Sequence, residues 1–434
     1  MALILKRVLF LLLPCFLQAC AMPQAKVNFL AEGLEHSGPE ATLLALQESD
    51  VSDRDRAQYL LNIGLLKSIT GDFSGGTEDL QTAKEIINAL QAVSVSESLG
   101  AATINETLRS YNSSASERVL LHELMSINYL MQNDLDAARV EVLQAAVVMD
   151  ELAIADELVG QLASSHYIAG LIYELGDELD NAMISYRKAE GIMTARNLSI
   201  PAALKLSLLS LSQYLGFDEE YEKYNQRFDL AAAVLDPDSA EIIVLYFDGV
   251  VTSKEERSLS VWAPSLEQVV SLAVPAYPES NYVEKPLALN FSGLHDITET
   301  LEDVEALMRE DLAGDFALIY SVALARVIAK VEMVKSASQQ NGSLGLLMNL
   351  ATLLTESADI RSWNMLPSSI QVARFSVSQG AYPLPAAHSS VSKDIKSEKT
   401  ELTVKAGDKV VLFVSSVSHR TFYYTLSSGR KQNI

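Results

Sequence analysis

The sequence is poor in cysteine, because its 434 residues contain only Cys15 and Cys20. Cys15 lies in an apolar run at residues 8–16 that follows Lys6 and Arg7 and is too short to cross a bilayer. A basic start followed by a short apolar run predicts an export signal. Cleavage before Cys20 would remove Cys15, so the mature chain could form no internal disulfide.

Residues that catalyse reactions or bind metals are also sparse in the patterns that such chemistry requires. The six histidines include no pair at the spacing of metal ligands. His122-Glu123 begins like a zinc-protease helix, but Ser126 stands where the second histidine belongs. The chain has no nucleophile elbow and no phosphate-binding glycine loop, and His295-Asp296 fits a surface turn better than catalysis. We therefore predict no enzyme activity, no metal and no cofactor.

Basic residues are outnumbered, with 33 lysines and arginines against 56 aspartates and glutamates, and the formal net charge is -23. An acidic surface repels nucleic acid and anionic headgroups, which excludes a nucleic-acid partner. The acidic residues are dispersed along the chain, as is typical of a solvated surface. At 434 residues the chain exceeds what one core normally supports, so two domains are expected.

The amino terminus contains Leu17-Gln18-Ala19-Cys20, a lipobox in which a small residue precedes a cysteine. This order predicts a lipoprotein signal peptide at residues 1–19 and acylation of Cys20, and more than one acyl chain anchors a protein firmly. The alternative is an ordinary secretory peptide cut elsewhere. Ala21, rather than aspartate, follows the cysteine; in the Gram-negative lipoproteins that this terminus resembles, that implies transport to the outer membrane.

Residues 117–189 contain two copies of one helix-turn-helix pattern. Small residues at matching offsets let two antiparallel helices approach closely, and turn residues separate the helices. The aligned pairs are Ser126 with Gly170, Tyr129 with Tyr173, Ala138 with Ala182, Val142 with Tyr186, Ala145 with Ala189, and the turns Asn133-Asp134 with Gly176-Asp177. This is the tetratricopeptide pattern.

A third copy of the pattern lies upstream. The proline that commonly closes such a repeat is missing, and the copies are widely spaced, so we predict an interrupted solenoid with extra helices between the repeats. Coincident helical amphipathicity is the alternative. The third copy comprises Gly64, Gly71-Asp72-Phe73, Gly76, Leu80 and Ala83.

A stack of helix pairs usually provides a groove that holds another polypeptide. The repeat register assigns seven apolar and acidic residues to the concave side, a lining that suits an amphipathic helix or a basic segment. A groove filled by the chain's own extra helices is the alternative, and it stays open. The predicted groove residues are Leu65, Ile69, Glu123, Ile127, Tyr167, Leu171 and Glu174.

The pattern changes near residue 235, where residues 241–247 form a continuous β-branched and aromatic run that predicts a buried strand. Further strands are predicted at 259–262, 269–274, 370–377, 401–404, 409–415 and 421–426. Helical periodicity at 297–335 and 343–357 predicts a hairpin inserted at about 297–358. Residues 316–334 are apolar, but Arg326 and Lys330 interrupt them, which favours packing against the sheet over membrane insertion.

The predicted fold class is therefore α+β. An all-α tetratricopeptide-like solenoid at 53–234 follows an anchor and spacer at 20–52, with one helix near 39–48. A β-sheet domain with an inserted helical hairpin occupies 235–434, and residues 389–400 form a polar loop.

A dense group of unusual residues follows the second inserted helix. Asp359 and Arg361 can pair across a turn, Trp363 can enter an apolar pocket, and Pro367 sets the direction of the next strand. We interpret this segment as a rigid junction between the helical insert and the sheet. The alternative is a partner-binding hot spot.

Several segments together resemble a largely uncharacterised family of bacterial tetratricopeptide-containing lipoproteins. They are residues 117–141, Gly249 with Lys254, residues 273–277, residues 356–367, and Arg374 with Gly380. The resemblance covers most of the mature chain. Members of the family resemble envelope-assembly components, and their genes tend to lie near those of lipoproteins that activate penicillin-binding proteins. The resemblance therefore implies an envelope context and no reaction.

The sequence thus predicts an outer-membrane lipoprotein that faces the periplasm of a Gram-negative bacterium and scaffolds envelope proteins, including other lipoproteins. Its membrane contact would be the lipid at its amino terminus. The alternative is a glycan- or peptidoglycan-binding module in the β-domain. That alternative rests on aromatic rings on which sugars could stack, namely Tyr277, Tyr282, Tyr423 and Tyr424.

Overall fold

The first half of the described chain is a series of helices. The computed structural model describes residues 22–97, 110–153, 158–228, 239–291, 294–340, 357–385 and 401–427. The helices before the sheet are α1 Met22–Ser37, α2 Pro39–Gln47, α3 Arg56–Thr70, α4 Phe73–Glu97, α5 Ala115–Met131, α6 Leu135–Leu152, α7 Ala163–Leu175, α8 Leu179–Ala195, α9 Ala202–Tyr214 and α10 Asp218–Phe228. Cys20 and the signal peptide lie outside the described residues.

The helices pair as hairpins where the sequence places turn residues. Ser114 and Glu117 form a reciprocal capping box that starts α5. Asn133 and Asp177 adopt left-handed backbone conformations with φ of 62° between the helices of successive hairpins. The Asp134 carboxylate then accepts a hydrogen bond from the Ala137 amide at 3.0 Å and starts α6. Both predicted turns are therefore confirmed.

Small residues lie where the paired helices come closest. A Cβ on Gly170 of α7 would lie 2.6 Å from the Tyr186 ring of α8. A Cβ on Gly64 of α3 would lie equally close to Leu80 of α4. The hairpins therefore pack by the small-against-large scheme that the repeat pattern predicts.

Two helical predictions need correction. The spacer predicted before residue 39 is instead the 16-residue helix α1, and the helix predicted near 39–48 is α2. The inserted helix α11, Val304–Gln340, begins at Val304 rather than at Ile297. Residues before it form a strand that pairs with a neighbour, and the Asp303 carboxylate accepts from the Ala306 amide at 2.9 Å to start the helix. The second predicted helix lies almost entirely outside the described residues.

The second half is built on a mixed five-stranded sheet. The strands are β1 Ala240–Asp248, β2 Glu255–Ala263, β3 Gln268–Ala276, β4 Ala288–Phe291, β5 Leu294–Ile297, β6 Glu299–Asp303, β7 Ser369–Val377, β8 Gly380–Pro383, β9 Glu401–Val404, β10 Lys409–Ser415 and β11 Thr421–Leu426. The main sheet has the order β11-β10-β1-β7-β6, with β1 and β10 parallel. β2–β3, β4–β5 and β8–β9 form separate two-stranded sheets.

The central strand β1 is buried on both faces, as its continuous apolar run predicts. Ile243 and Phe247 belong to the core that the sheet shares with the helical hairpins. Ile242 and Val244 face a second core, which β4, β8 and β9 cover. One face of the sheet thus continues the core of the hairpins. The fold class is confirmed as α+β, with helical hairpins followed by a sheet unit that carries a long helix.

Replacing Gly170 with alanine should lower the free energy of unfolding, because the new Cβ would overlap the buried Tyr186 ring. Gly191→Ala in α8 is the matched control, since no atom lies within 4 Å of its Cβ position. Both substitutions raise helix propensity equally. Urea unfolding should therefore show Gly170→Ala to be less stable than Gly191→Ala by about 1–3 kcal/mol. Equal stabilities would contradict the close packing described here.

Candidate functional site

The concave side of the hairpins is occupied by the chain's own sheet. α5 contacts β11, α7 contacts β6 and α9 contacts β7. Beyond β10, Arg420 donates to the Thr70 carbonyl oxygen of α3 at 2.8 Å. The seven predicted groove residues are all buried, none more than 6% exposed: Leu65, Ile69, Glu123, Ile127, Tyr167, Leu171 and Glu174.

The prediction of an open partner groove is therefore corrected. The self-filled alternative describes the structure, except that the filling element is a sheet rather than extra helices. The apolar lining that the repeats present is covered by apolar side chains from β1, β7 and β10. The sheet therefore removes from water the same apolar surface that a bound partner helix would have covered.

A buried ion network joins the sheet to the hairpins at the acidic end of this surface. Arg374 of β7 donates to both carboxylate oxygens of Glu174 at 2.6 and 2.8 Å, and to Glu241 of β1 at 3.1 Å. It also donates to Ser207 of α9 at 2.9 Å, and Lys409 of β10 contacts Glu174 as well. The basic partner that the acidic lining predicts is thus supplied by this chain.

The charges in this network determine the state of Glu174. Burial by itself would raise the pKa of that carboxyl, but the Arg374 guanidinium and the Lys409 ammonium hold the pKa well below its usual range. Arg374 is 3% exposed, so its charge is compensated inside the protein rather than by water.

A second buried acidic group lies between α5, α7 and β6. The Ser164 hydroxyl donates to Glu123 at 2.8 Å, and the Ser164 amide donates to Glu302 at 3.2 Å. Arg196 approaches Glu302 at 3.5 Å. Burial raises the pKa of Glu123 to about 8 and the pKa of Glu302 to about 7. Near neutral pH, Glu123 is therefore mostly protonated and Glu302 is protonated in part.

The junction residues Asp359, Arg361, Trp363 and Pro367 lie in the segment that leads into β7. Arg361 donates to Asp359 and to Asp55, each at 2.8 Å, so the predicted Asp–Arg pair is present. Trp363 is fully buried. The segment is therefore a junction, but its contacts join it to the helical hairpins, whereas the sequence predicted a junction between the helical insert and the sheet. Trp363 lacks the exposure that a binding hot spot needs.

The junction is also held by its backbone. The Trp363 amide donates to the Glu117 carboxylate at 2.6 Å, and the Met365 amide donates to Asn62 at 3.1 Å. Helices α3 and α5 thus receive the polar groups of a segment that has no regular secondary structure. The sequence indicated this segment but not its partners, because Glu117 and Asn62 lie about 250 and 300 residues before it in the chain.

Two cavities meet at the junction. One, of about 660 Å3, lies beside α1, α2 and α3, and the other, of about 190 Å3, lies beside α11. Asp359 and Arg361 line both. Neither lining contains histidine or cysteine, so neither presents a nucleophile with an imidazole base.

His122 is buried in the helical hairpins and makes a polar contact there. His122 contacts Glu141 at 2.7 Å, and Lys84 donates to the same carboxylate at 3.0 Å. His295 and Asp296 lie in strand β5 rather than in the predicted turn. Across the described residues, no three histidine, cysteine or acidic side chains are placed to hold a metal ion. The absence of enzyme activity, metal and cofactor stays a prediction.

The four tyrosines behind the glycan alternative do not form an exposed platform. Lys254 and Arg309 lie over the Tyr277 ring at 5.7 and 5.3 Å from its centre. The Tyr282 hydroxyl donates to Asp248 at 2.6 Å, Tyr423 is half-buried, and Tyr424 is buried. Stacking of a sugar requires free ring faces, so this alternative loses its structural support.

The hairpins do expose apolar side chains on their outer side. Val140, Leu143 and Val147 of α6 are 49%, 42% and 57% exposed, and we call these three residues the outer stripe. Ile184 of α8, at the repeat position equivalent to Val140, is 50% exposed. The spacing of three and four residues marks one helical face, opposite the buried Ala138, and could have been read from the sequence.

Comparisons with known proteins show similarity of the helical half only at a low level. No family model matches the sequence, and no curated protein matches it. The apo form of RapI is 13% identical, with 44% of this chain and 47% of RapI covered and a TM-score of 0.34. MamA is 16% identical, with 44% of this chain and 85% of MamA covered and a TM-score of 0.28. BtubC from P. vanneervenii is 14% identical, with 44% of this chain and 69% of BtubC covered and a TM-score of 0.30. The fold class rests on the helices and strands described above.

Arg374→Ala should destabilise the protein severely, because Glu174 and Glu241 would lose their principal cationic partner inside the core. Breaking a buried pair in this way costs about 3–5 kcal/mol. Arg257→Ala is the control: its pair with Glu255 is exposed, and such pairs contribute about 1 kcal/mol or less. Urea unfolding measures both, and similar small losses would show that the network does not join the two halves.

The raised pKa values of Glu123 and Glu302 make stability depend on pH. Between about pH 4.5 and 8 the unfolded chain releases protons that the folded chain retains, so the free energy of unfolding falls as pH rises. The slope for each proton is at most about 1.4 kcal/mol per pH unit. Glu123→Gln should flatten this decline, whereas Glu78→Gln on the exposed surface should not. An unchanged slope in Glu123→Gln would refute the assignment.

Proposed function

We propose that this chain is a lipid-anchored lipoprotein of the outer membrane, on the periplasmic side of a Gram-negative envelope. It scaffolds envelope proteins through the outer side of its helical hairpins. The observation that carries the proposal is the outer stripe on α6, since the concave side is already filled. Repeated helical hairpins commonly serve as binding surfaces for other proteins.

The outer stripe has the character of a protein-binding surface. Three apolar side chains on consecutive turns are about half exposed, and a solvated helix usually carries polar residues there. At the equivalent positions of α4 the chain has Glu78 and Glu85, which are exposed. Lys84 of α4 contacts Glu141 of α6, so the two helices are neighbours.

This arrangement indicates the chemistry of the partner. An apolar strip beside exposed carboxylates suits an amphipathic helix that has basic residues along one flank. The sequence predicts the same kind of partner for the concave groove. We therefore assign the partner surface to the outer side of the hairpins and keep the proposed class of partner.

The lipid anchor follows from the lipobox at Cys20, which lies two residues before the first described helix. Helix α1 packs onto the body, where Asn28 accepts a hydrogen bond from Asn364 of the junction at 3.0 Å. A lipid at Cys20 would therefore hold the folded protein close to the membrane.

Site-specific photocrosslinking in intact envelopes tests the proposal. A photoreactive residue at Leu143 should give adducts with an envelope protein. The same residue at Gln81, the equivalent position of α4, serves as the matched control and should give few. Val140→Ser, Leu143→Ser and Val147→Ser combined should lower recovery of the partner about tenfold or more, since hot-spot residues each contribute more than about 1 kcal/mol. Cys20→Ser should release the protein from the membrane fraction.

Each half of the proposal has its own contrary result. Equal adducts at Gln81 and Leu143, or full recovery of the partner by the triple variant, would show that the outer stripe is not the partner-binding surface. Membrane attachment and processing unchanged in Cys20→Ser would remove the lipid anchor. Thermal unfolding of the triple variant should match the wild type, because the three side chains are largely solvated.

A further inference from the structure

Helix α11 and the hairpin β2–β3 form an arm that extends from the body. The first turns of α11 are embedded in the core, where Val304 and Leu307 are buried. Just beyond Leu312, Asp315 and Ile319 line the smaller junction cavity. Farther along the helix, Val327 and its half-buried neighbours lie against Val270 and Leu272 of β3. We call residues 255–276 and 316–333 the apolar arm.

The apolar arm leaves much of its hydrophobic surface exposed. By length and composition, residues Val304–Met333 of α11 could cross a membrane, yet only 17% of the most apolar 18-residue window is buried. A core helix of this composition would be mostly buried. The expectation that the helix packs against the sheet is met in part: within the described residues α11 contacts β3 and, more weakly, β7.

The exposed apolar residues lie on two opposite sides of the arm. Trp262 and Val269 face each other across β2 and β3 on the outer side of the hairpin and are 56% and 64% exposed. Leu318 and Met333, on the face of α11 that points away from the hairpin, are 67% and 55% exposed. A single flat partner would cover one side, whereas lipid surrounding the arm would cover both.

Charge separates the arm from the rest of this acidic chain. No aspartate or glutamate lies between Phe316 and Val331; the charged residues there are Arg326, which is buried, and Lys330. Glu267 is the single charged residue between Ser258 and Ala276. The arm thus avoids the repulsion from anionic headgroups that a net charge of -23 would otherwise cause. A tryptophan at its end is the residue type enriched at the boundary between lipid and water.

The arm begins near the predicted lipid anchor. Asn28 of α1 donates to the carbonyl oxygen of Lys254, immediately before β2, at 3.4 Å. Cys20 precedes Asn28 by eight residues: the six steps from Met22 to Asn28 rise about 9 Å along α1, and the two before them span at most about 7 Å. A lipid at Cys20 and the base of the arm would therefore reach the same membrane. This step rests on the proposed function.

We propose that the apolar arm inserts into the lipid of the membrane that holds the anchor, with Trp262 among the acyl chains or at their boundary. The insertion gives the protein a second attachment point and fixes its orientation on the membrane. More than one attachment is what stable membrane association requires.

Tryptophan fluorescence tests this directly, because the chain contains only Trp262 and Trp363 and the latter is fully buried. The full-length acylated protein is reconstituted in phosphatidylethanolamine–phosphatidylglycerol vesicles with or without brominated acyl chains. The emission of the Trp262→Phe variant, subtracted from that of the wild type, isolates Trp262. Bromine should lower that emission about twofold or more, since a ring inserted 5–10 Å lies beside the chains. Trp363 emission should not change.

Two further variants separate the arm from the anchor. Val269→Asp, at an exposed position, should reduce the quenching of Trp262 without unfolding the protein. Cys20→Ser should keep part of the quenching at high vesicle concentration, because the arm itself contacts lipid.

Vesicle flotation shows which proposal fails, the lipid anchor at Cys20 or the insertion of the apolar arm. If the acylated protein floats with vesicles but bromine leaves Trp262 unaffected, the arm is not in lipid and the anchor stands. If Leu318→Cys then forms disulfide-linked dimers in the membrane, a second copy covers the arm instead. If quenching persists while acylation at Cys20 is absent from the native protein, the anchor fails and the arm stands.

Discussion

Arg374 and Glu174 are 200 residues apart in the sequence, and their contact joins the sheet to the helical hairpins. Taking these charges out of water is costly, and only a matched geometry recovers the cost. The hydrogen bonds between Arg374 and Glu174 need the observed register of β7, because a shift of one residue would turn Arg374 to the other face of the sheet. With β7 in place, the sheet lies against the hairpins and its apolar face closes their concave side.

Closing that side changes where function can occur. A stack of helical hairpins would ordinarily offer its groove to a partner, but here the groove is part of the core. The junction around Trp363 completes the closure, since Glu117 and Asn62 of the helices bind its backbone. Exposed apolar side chains of the described residues include two groups, the outer stripe of α6 and the arm formed by α11 and β2–β3.

These two surfaces and the lipobox give a consistent picture of the proposed lipoprotein. The arm begins close to α1, which follows the lipobox, so the two proposed membrane attachments lie on neighbouring elements. The outer stripe belongs to the middle hairpin and is separate from both. A scaffold needs such a division, in which one region fixes the protein in place and another binds the partner.

The sequence by itself determined the local structure of this protein. Small residues such as Gly170, the turn at Asn133 and the apolar run of β1 each appear as predicted, because close helix packing, left-handed turns and burial depend on the residue types themselves. Periodicity also predicted that the concave side is apolar and acidic. The fold class follows from these local features.

Only the tertiary structure decided what covers each apolar face. Periodicity shows that a face is apolar and is silent on whether sheet, partner or lipid lies against it. Leu171 and Val140 are both apolar residues on hairpin helices, yet one is buried by the sheet and the other is exposed. The start of α11 was decided in the same way, since residues 299–303 pair with β7. Contacts between residues hundreds of positions apart set these outcomes, and no local pattern encodes them.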